Sequence, residues 1–179
     1  SLYYIPEKRS YLIIHVDDFL VLGPADAVEK LAEQLGGMVK LKTTARMAAA
    51  GDQGTFLGRT IVRTELGFKM SGSQVLVKQL VQDMGVKQAK PVSTPAVRST
   101  ERQIAEGSQA LAGTDYHLYR RGVGILLYLG HDRLDMQFVA NDLARSVLNP
   151  TVHDMSRLKR AARFLRDHPT LVQRFDTVS

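Results

Sequence analysis

The sequence predicts an α+β fold in which antiparallel hairpins and one helix precede a mostly helical half. Three observations carry that expectation. Residues 11–16 (Tyr-Leu-Ile-Ile-His-Val) and 19–22 (Phe-Leu-Val-Leu) are two β-prone runs separated only by Asp17 and Asp18, the spacing of a tight hairpin. Beyond residue 115 the apolar residues recur at helical spacing in three blocks. Between the two halves lies a long polar stretch, 86–114, which contains Pro91 and Pro95 and few large apolar groups and therefore reads as a linker.

Each element follows from a local signal. Gly23-Pro24 ends the second strand, and Val28, Leu31, Ala32 and Leu35 share a helix face until Gly36-Gly37, which gives a helix near 25–36. Residues 38–43 read as a further strand and the Ala- and Gly-rich stretch 45–54 as a loop. A second hairpin is expected with strands near 55–63 and 66–70, turning at Glu65-Leu66-Gly67. After Ser73 the helical period returns through Val75, Leu76, Leu80 and Met84, with Gly85 as a C-terminal cap. The last three helices are expected at about 116–130, about 134–148 closed by Asn149-Pro150, and about 152–167 closed by His168-Pro169.

Composition narrows the function classes. Hydrophobic residues make up 44% of the 179 positions and charged residues 23%, values that exclude a disordered, collagen-like or coiled-coil chain. The most apolar run, Tyr11 to Leu22, is broken by two aspartates and falls short of a membrane span. Cysteine is absent, which removes disulfides, thiolate nucleophiles and cysteine-ligated metal centres. The net charge is +6, and fifteen of the 24 cations are arginine, whose planar fork pairs with phosphate in two places. Ten Arg or Lys against five Asp fall in residues 116–174, so the helical half is the basic one and polyanions are its expected partners. The opening Ser1-Leu2-Tyr3-Tyr4 lacks both an initiator Met and a signal-peptide pattern, as expected of a segment excised from a longer chain.

Asp17-Asp18 is the sharpest chemical feature. A two-residue hairpin favours Asn-Gly or Asp-Gly at its bend, so backbone ease does not select two aspartates. Neighbouring carboxylates repel, and apolar strands on both sides sharpen the repulsion; a divalent cation would relieve it, and Mg²⁺ or Mn²⁺ commonly takes one or two protein carboxylates. The plain alternative is a solvated polar turn.

The run Ile14-His15-Val16-Asp17-Asp18-Phe19-Leu20-Val21-Leu22-Gly23 resembles the palm motif of reverse transcriptases, a Tyr-x-Asp-Asp turn between apolar strands. Further blocks follow in the order found in copia-type LTR retrotransposon reverse transcriptases. Phe56-Leu57-Gly58 resembles the primer-grip hairpin, and Lys90-Pro91-Val92-Ser93-Thr94-Pro95 resembles that family's Lys-Pro-Val-x-Thr-Pro linker. Tyr119-Arg120, Val123-Gly124, Leu127-Tyr128-Leu129 and Arg133-x-Asp135 resemble its Tyr-Arg…Val-Gly…Leu-x-Tyr…Arg-Pro-Asp block, and Pro150-x-x-His153 with Leu158, Arg160 and Phe164-Leu165 resembles the start of its final thumb helix. The resemblance covers about residues 11–166.

What the resemblance implies is a segment of an RNA-directed DNA polymerase: the C-terminal part of the palm with the primer grip over 1–72, a helix and linker over 73–114, and a helical thumb over 115–179. Asp17 and Asp18 would be palm carboxylates holding Mg²⁺ or Mn²⁺, with Asp17 the stronger ligand. The partners would be an RNA/DNA template–primer duplex, a deoxynucleotide and the rest of a Pol polyprotein with its fingers and ribonuclease H parts, in the cytoplasmic virus-like particle of the intact element. His15 stands where the motif has Tyr, and Leu134 where the family has Pro. The family's other metal-binding aspartate lies on an earlier palm strand, so this segment alone is expected to be inactive. The rival expectation is a non-catalytic, decayed nucleic-acid-binding remnant.

The remaining candidates follow from spacing read beside that resemblance. Arg120, Gly124 and Tyr128 lie four apart and share one helix face, suited to a duplex groove; Gly122 and Gly124 could instead let another helix pack closely, with Tyr119, Val123 and Leu127 in the core. Arg157, Arg160 and Arg163 recur every third residue, either as a solvated face or as a track for backbone phosphates, while Val152, Met155, Leu158, Ala162 and Leu165 face inward. Lys40 and Lys42 are candidates for the phosphates of an incoming nucleotide. Histidines 15, 117, 131, 153 and 168 lack metal-ligand spacing, and no serine has a nucleophile elbow.

Overall fold

A computed structural model describes residues 1–176. The chain is α+β, with two antiparallel sheets and six α-helices among the described residues. It divides into two compact units, residues 1–70 with the end of the last strand from Arg174, and residues 71–173.

The first unit opens with β1 (Leu2–Ile5), a single 3-10 turn at Pro6–Lys8, β2 (Ser10–His15) and β3 (Asp18–Leu22), an antiparallel sheet in that order. The strand β1 carries little periodic signal and is absent from the sequence expectation; it forms because Leu2–Ile5 pairs with Ser10–Ile13 of β2. The register between β2 and β3 sets Tyr11 opposite Leu22 and His15 opposite Asp18. Ser10 at the start of β2 is fully buried, and a Cβ at Gly23 would lie 2.3 Å from its hydroxyl, so glycine is required where the chain leaves β3.

Helix α1 (Ala25–Met38) runs through Gly36-Gly37 instead of stopping there, and the Val39 N–H closes on Leu35 O at 2.9 Å. Residues 39–48 are irregular, so the strand expected at 38–43 is absent. Val39 and Leu41 alternate with Lys40 and Lys42, yet no neighbouring strand pairs with them and both apolar side chains are exposed. A strand is a pairing outcome, and alternation without a partner does not produce one.

The second hairpin is also shifted. Strands β4 (Gln53–Phe56) and β5 (Arg59–Arg63) pair around a two-residue turn at Leu57-Gly58, inside the stretch expected to be one strand. Both turn residues have positive φ, +49° and +73°, as a hairpin bend of this length requires. Strand β6 (Gly67–Ser71) follows, and β7 (Val172–Asp176) returns from the far end of the sequence to the sheet in the order β4-β5-β6-β7. A Cβ on Gly67 would lie 2.0 Å from the Phe175 carbonyl oxygen, so this glycine admits the returning strand.

The second unit is a helical core. Ser73 caps α2 (Gln74–Asp83) by accepting from the Leu76 N–H, and Gly85 at φ +66° ends it. The stretch expected to link two lobes holds a short helix, α3 (Glu101–Glu106), with a capping box between Thr100 and Gln103. Then come α4 (Gly113–Leu129), α5 (Leu134–Ala144) and α6 (Val152–Asp167). Their buried faces and that of α2 form one cluster centred on Leu80, Tyr119, Leu126, Leu143, Leu158 and Leu165.

Two polar anchors sit in or against this core. The Tyr119 hydroxyl donates to the Leu143 carbonyl oxygen at 2.7 Å, joining α4 to the end of α5. Burial pushes the Tyr119 phenol well above its ordinary value, and the Asp154 charge adds to the rise. Arg133 is 2% exposed and bonds both oxygens of Asp135 at 2.9 and 2.7 Å while donating to His168 O at 2.7 Å, which ties the start of α5 to the end of α6. Leu134 begins α5 with its side chain exposed, and the helix starts there without the proline of the resembling family.

Because the Tyr119 phenol is raised only in the folded chain, its stabilisation is complete below the ordinary phenol value of about 10 and is lost as pH rises towards the folded value. We expect Tyr119→Phe to cost about 1 kcal/mol at neutral pH through the lost hydrogen bond, and the gap between the two proteins to narrow steadily above about pH 9. Urea midpoints measured from pH 7 to pH 11 check this, and a constant gap contradicts it.

Candidate functional site

The acidic bend is built one residue earlier than the sequence suggests. Val16 and Asp17 form the turn between β2 and β3, and Asp18 is the first residue of β3, opposite His15. Val16 takes φ +54° and is 86% exposed. A β-branched residue in the left-handed region is strained, and neither solvent contact nor core packing at Val16 offsets that strain. The strain is the consequence of the register fixed by β1, β2 and Gly23, which leaves only two residues to reverse the chain.

Asp17, Asp18 and His15 are all exposed. Asp18 lines a shallow cleft of about 490 Å³, whose other walls include Thr44, Thr55 and Thr60, so hydroxyl groups of the 39–48 segment and the β4–β5 hairpin share a space with this carboxylate. Asp17 lies at the tip, outside the cleft lining. Among the described residues no group of three His, Cys, Asp or Glu side chains that could hold a metal ion gathers, at this bend or elsewhere, and the acidic side chains at the bend are Asp17 and Asp18. Two hard oxygen donors fit Mg²⁺ or Mn²⁺, ions that complete their shells with water and phosphate oxygen.

The other first-unit candidates are placed as follows. Phe56, Leu57 and Gly58 form the end of β4 and the hairpin turn that follows it, with Phe56 and Leu57 half-buried. Gly54 packs against the 39–48 segment, since a Cβ there would lie 2.9 Å from Ala45 Cβ. An Arg46–Glu29 ion pair ties that segment to α1. Lys40 and Lys42 are exposed in the same segment.

In the helical unit the α4 candidates separate cleanly by face. Arg120, Gly124 and Tyr128 are all exposed on one side, and Arg120 lies over the Tyr116 ring at 5.5 Å from its centroid. A Cβ on Gly124 would meet nothing within 4 Å, whereas one on Gly122 would lie 2.8 Å from Leu158 Cδ2 and 3.4 Å from Leu80 and Met84 side-chain carbons. Gly122 is therefore the helix-packing glycine and Gly124 the surface one. Tyr119 and Val123 are core, as expected, while Leu127 is partly exposed.

The arginine row of α6 is engaged by the chain itself. Arg157 pairs with Asp142 and with Asp154, the latter at 3.5 Å. Arg160 Nη2 donates to Thr94 Oγ1 at 3.1 Å and Arg163 Nε to Lys90 O at 2.9 Å. One turn further, Arg166 Nη1 donates to Val86 O at 2.9 Å and Lys87 O at 3.2 Å and also reaches Ala89 O. This use of the row was not legible in the sequence; the signal that could have pointed to it is the Pro91 and Pro95 segment, whose extended backbone has carbonyls and no ladder to satisfy them. Met155, Leu158, Ala162 and Leu165 face the core as expected, and Val152 is exposed.

The chain is similar to two transposon Pol polyproteins and to one mitochondrial protein. The retrovirus-related Pol polyproteins from transposons RE2 and RE1 of Arabidopsis thaliana are 28% and 27% identical to it over 100% and 94% of its length. An uncharacterized mitochondrial protein of the same plant is 26% identical over 87% of the chain. The chain spans 61% of that mitochondrial protein and 12% and 11% of the two polyproteins. No family model and no solved structure matches. The similarity supports a Pol-derived segment, in line with the resemblance seen in the motifs.

Two substitution outcomes follow from these geometries. Val16→Gly should raise stability by about 1 kcal/mol, the order of the left-handed penalty it removes, read as a higher urea midpoint with an unchanged slope. On α4, Gly124→Ala should gain about 1 kcal/mol of helix propensity, whereas at Gly122→Ala overpacking of about 1–3 kcal/mol cancels or exceeds that gain. Equal midpoints for the two alanine variants would contradict the assignment of their faces.

Proposed function

We propose that the chain is a segment of a copia-type reverse transcriptase, contributing the C-terminal part of the palm, the primer-grip hairpin and the thumb to an RNA-directed DNA polymerase. The observation that carries this reading is two neighbouring exposed carboxylates, Asp17 in a two-residue bend and Asp18 at the first position of the strand after it, between apolar strands in a chain similar to retrotransposon Pol polyproteins.

Asp17 and Asp18 would hold Mg²⁺ or Mn²⁺, which when bound activates a primer 3′-hydroxyl and stabilises the pyrophosphate released from a deoxynucleotide. The protein's own part is to fix the two carboxylates on paired strands and to keep them in water, where a metal-bound triphosphate can reach them. The Phe56-Leu57-Gly58 turn, beside the same cleft, is suited to hold the primer strand. The exposed α4 face gives a duplex groove one cation at Arg120, a bare backbone at Gly124 and an aromatic ring at Tyr128. Lys40 and Lys42 are positioned on the segment that walls the Asp18 cleft, a place from which to meet nucleotide phosphates. The remaining partners are the other parts of the Pol polyprotein. Among the described residues no helix is long and apolar enough to cross a membrane.

Polymerisation needs a further metal-binding carboxylate, and among the described residues none joins Asp17 and Asp18. We expect this polypeptide alone to bind Mn²⁺ weakly, with paramagnetic broadening of the amide signals at Val16–Phe19 that Asp17→Asn or Asp18→Asn removes, and to extend no primer. Primer extension sensitive to Asp17→Asn would overturn the inactivity, and absence of broadening would favour a non-catalytic remnant. Hybrid-duplex affinity should fall with salt, and Arg120→Ala should reduce the slope of log K against log salt by about 1. A slope unchanged by that substitution removes α4 from the duplex interface.

A further inference from the structure

The α6 arginines border a cavity that no reading so far uses. It lies wholly within the helical unit, between the 95–107 segment and the first turns of α6, with a volume of about 390 Å³. That is within the range of small-molecule sites, roughly 300–1,000 Å³. Val139 gives it a buried apolar floor, Ala96, Val97 and Val152 add apolar side chains that stay partly exposed, and Arg160 and Arg163 supply its cations.

The charge at this cavity is unbalanced. Arg157, which also lines it, is neutralised by Asp142 and Asp154. The one carboxylate in the lining, Glu106, is bonded to Arg102 at 2.7 Å. Arg160 and Arg163 bond only neutral oxygens, Thr94 Oγ1 and Lys90 O, and form no ion pair among the described residues. Moreover, Arg160 Nε is buried without a hydrogen-bond partner among the described residues. A buried guanidinium N–H without an acceptor is costly and leaves Arg160 with donor capacity that its neutral partner does not fill. His153, fixed by its bond to Ser99 Oγ at 2.8 Å, and Ser156 add polar groups at the rim.

We propose that this cavity binds a nucleotide phosphate, with Arg160 and Arg163 holding the phosphate and the valine-lined floor taking the base. Two guanidinium groups one helical turn apart match the several acceptor oxygens of a phosphate ester better than the two of a single carboxylate, and an apolar floor has no use for inorganic phosphate alone. The ligand is either a free nucleotide or a nucleotide unit of a strand, since both present the same chemistry. The inference does not rest on the polymerase reading, because neither a divalent ion nor the acidic bend takes part.

The test is isothermal titration of the full chain with adenosine 5′-monophosphate in EDTA, which silences Asp17 and Asp18 as metal ligands. The expected result is a single site that Arg160→Met and Arg163→Met each weaken about tenfold or more, the loss of one charge-assisted phosphate contact. Lys159→Met removes the same charge from an exposed position of the same helix that does not line the cavity and should change affinity less than twofold. Ser156→Leu, which narrows the cavity and leaves both arginines in place, should also abolish binding, so the conclusion does not hang on the folding of the arginine variants. Inorganic phosphate should bind at least tenfold more weakly than the nucleotide. No saturation at millimolar nucleotide, equal weakening by Lys159→Met, or inorganic phosphate binding as tightly as the nucleotide each overturns the proposal. Displacement of the nucleotide by a DNA oligomer without terminal phosphate assigns the cavity to a strand, and lack of displacement assigns it to a free nucleotide or a strand end.

Discussion

The helical unit depends on how α6 satisfies both of its neighbours at once. Its inner face, Met155, Leu158, Ala161, Ala162 and Leu165, is buried in the core, while its flanking arginines donate to carbonyls of the 86–94 segment. That segment contains Pro91 and is followed by Pro95, so it forms no hydrogen-bonded ladder, and without the arginines those carbonyls would lose these partners. At the other end, the Val152 and His153 N–H groups donate to Gln109 O and Gly107 O, both at 2.9 Å, and Thr151 and Asp154 form a capping box. Beside the bonds that α3 makes within itself, the 86–114 stretch thus draws polar partners from one helix at both of its ends. This is why a segment with few large apolar groups is nonetheless ordered.

Where periodicity reports burial, the sequence was readable. The helices α2, α4, α5 and α6 bury one stripe each, and their expected spans agree with the structure to within a few residues, as do the paired strands β2 and β3. Five features were not readable, for four distinct physical reasons. The strand β7 and the edge strand β1 exist through long- or medium-range pairing and have no strong local pattern. The Leu57-Gly58 bend places a leucine at positive φ, against its intrinsic preference, because β4 and β5 must pair at that length. Gly36-Gly37 is helical because nothing after it competes, and the Lys40–Lys42 alternation stays irregular because no strand lies beside it.

The candidate site shows the same division. That two carboxylates would sit at an exposed bend between apolar strands followed from residues 11–22, but which residues bend did not, since register is set by Gly23 facing Ser10 and by the pairing of β1. The common face of Arg120, Gly124 and Tyr128 was legible from their spacing of four. The separate tasks of Gly122 and Gly124 were not, because spacing alone does not say which side of α4 meets Leu158.

Charge shows most plainly what a sequence total conceals. The excess of cations in residues 116–174 suggests a uniformly basic lobe, yet much of it is neutralised locally: Arg133 by Asp135, Arg145 and Arg157 by Asp142, Arg166 by Asp167. Among the described residues, the helical positions without such an ion pair include Arg120 on the α4 face, Lys159 in solvent, and Arg160 with Arg163 at the α6 cavity. A neutral oxygen satisfies a guanidinium's hydrogen-bond geometry but leaves its charge in place, so bonding to the Thr94 hydroxyl and the Lys90 carbonyl orients Arg160 and Arg163 without neutralising them. The cations of this unit that lack an ion pair are therefore presented in two settings of different shape, an open helix face at Arg120 and a cavity at Arg160 and Arg163, which the net charge alone does not distinguish.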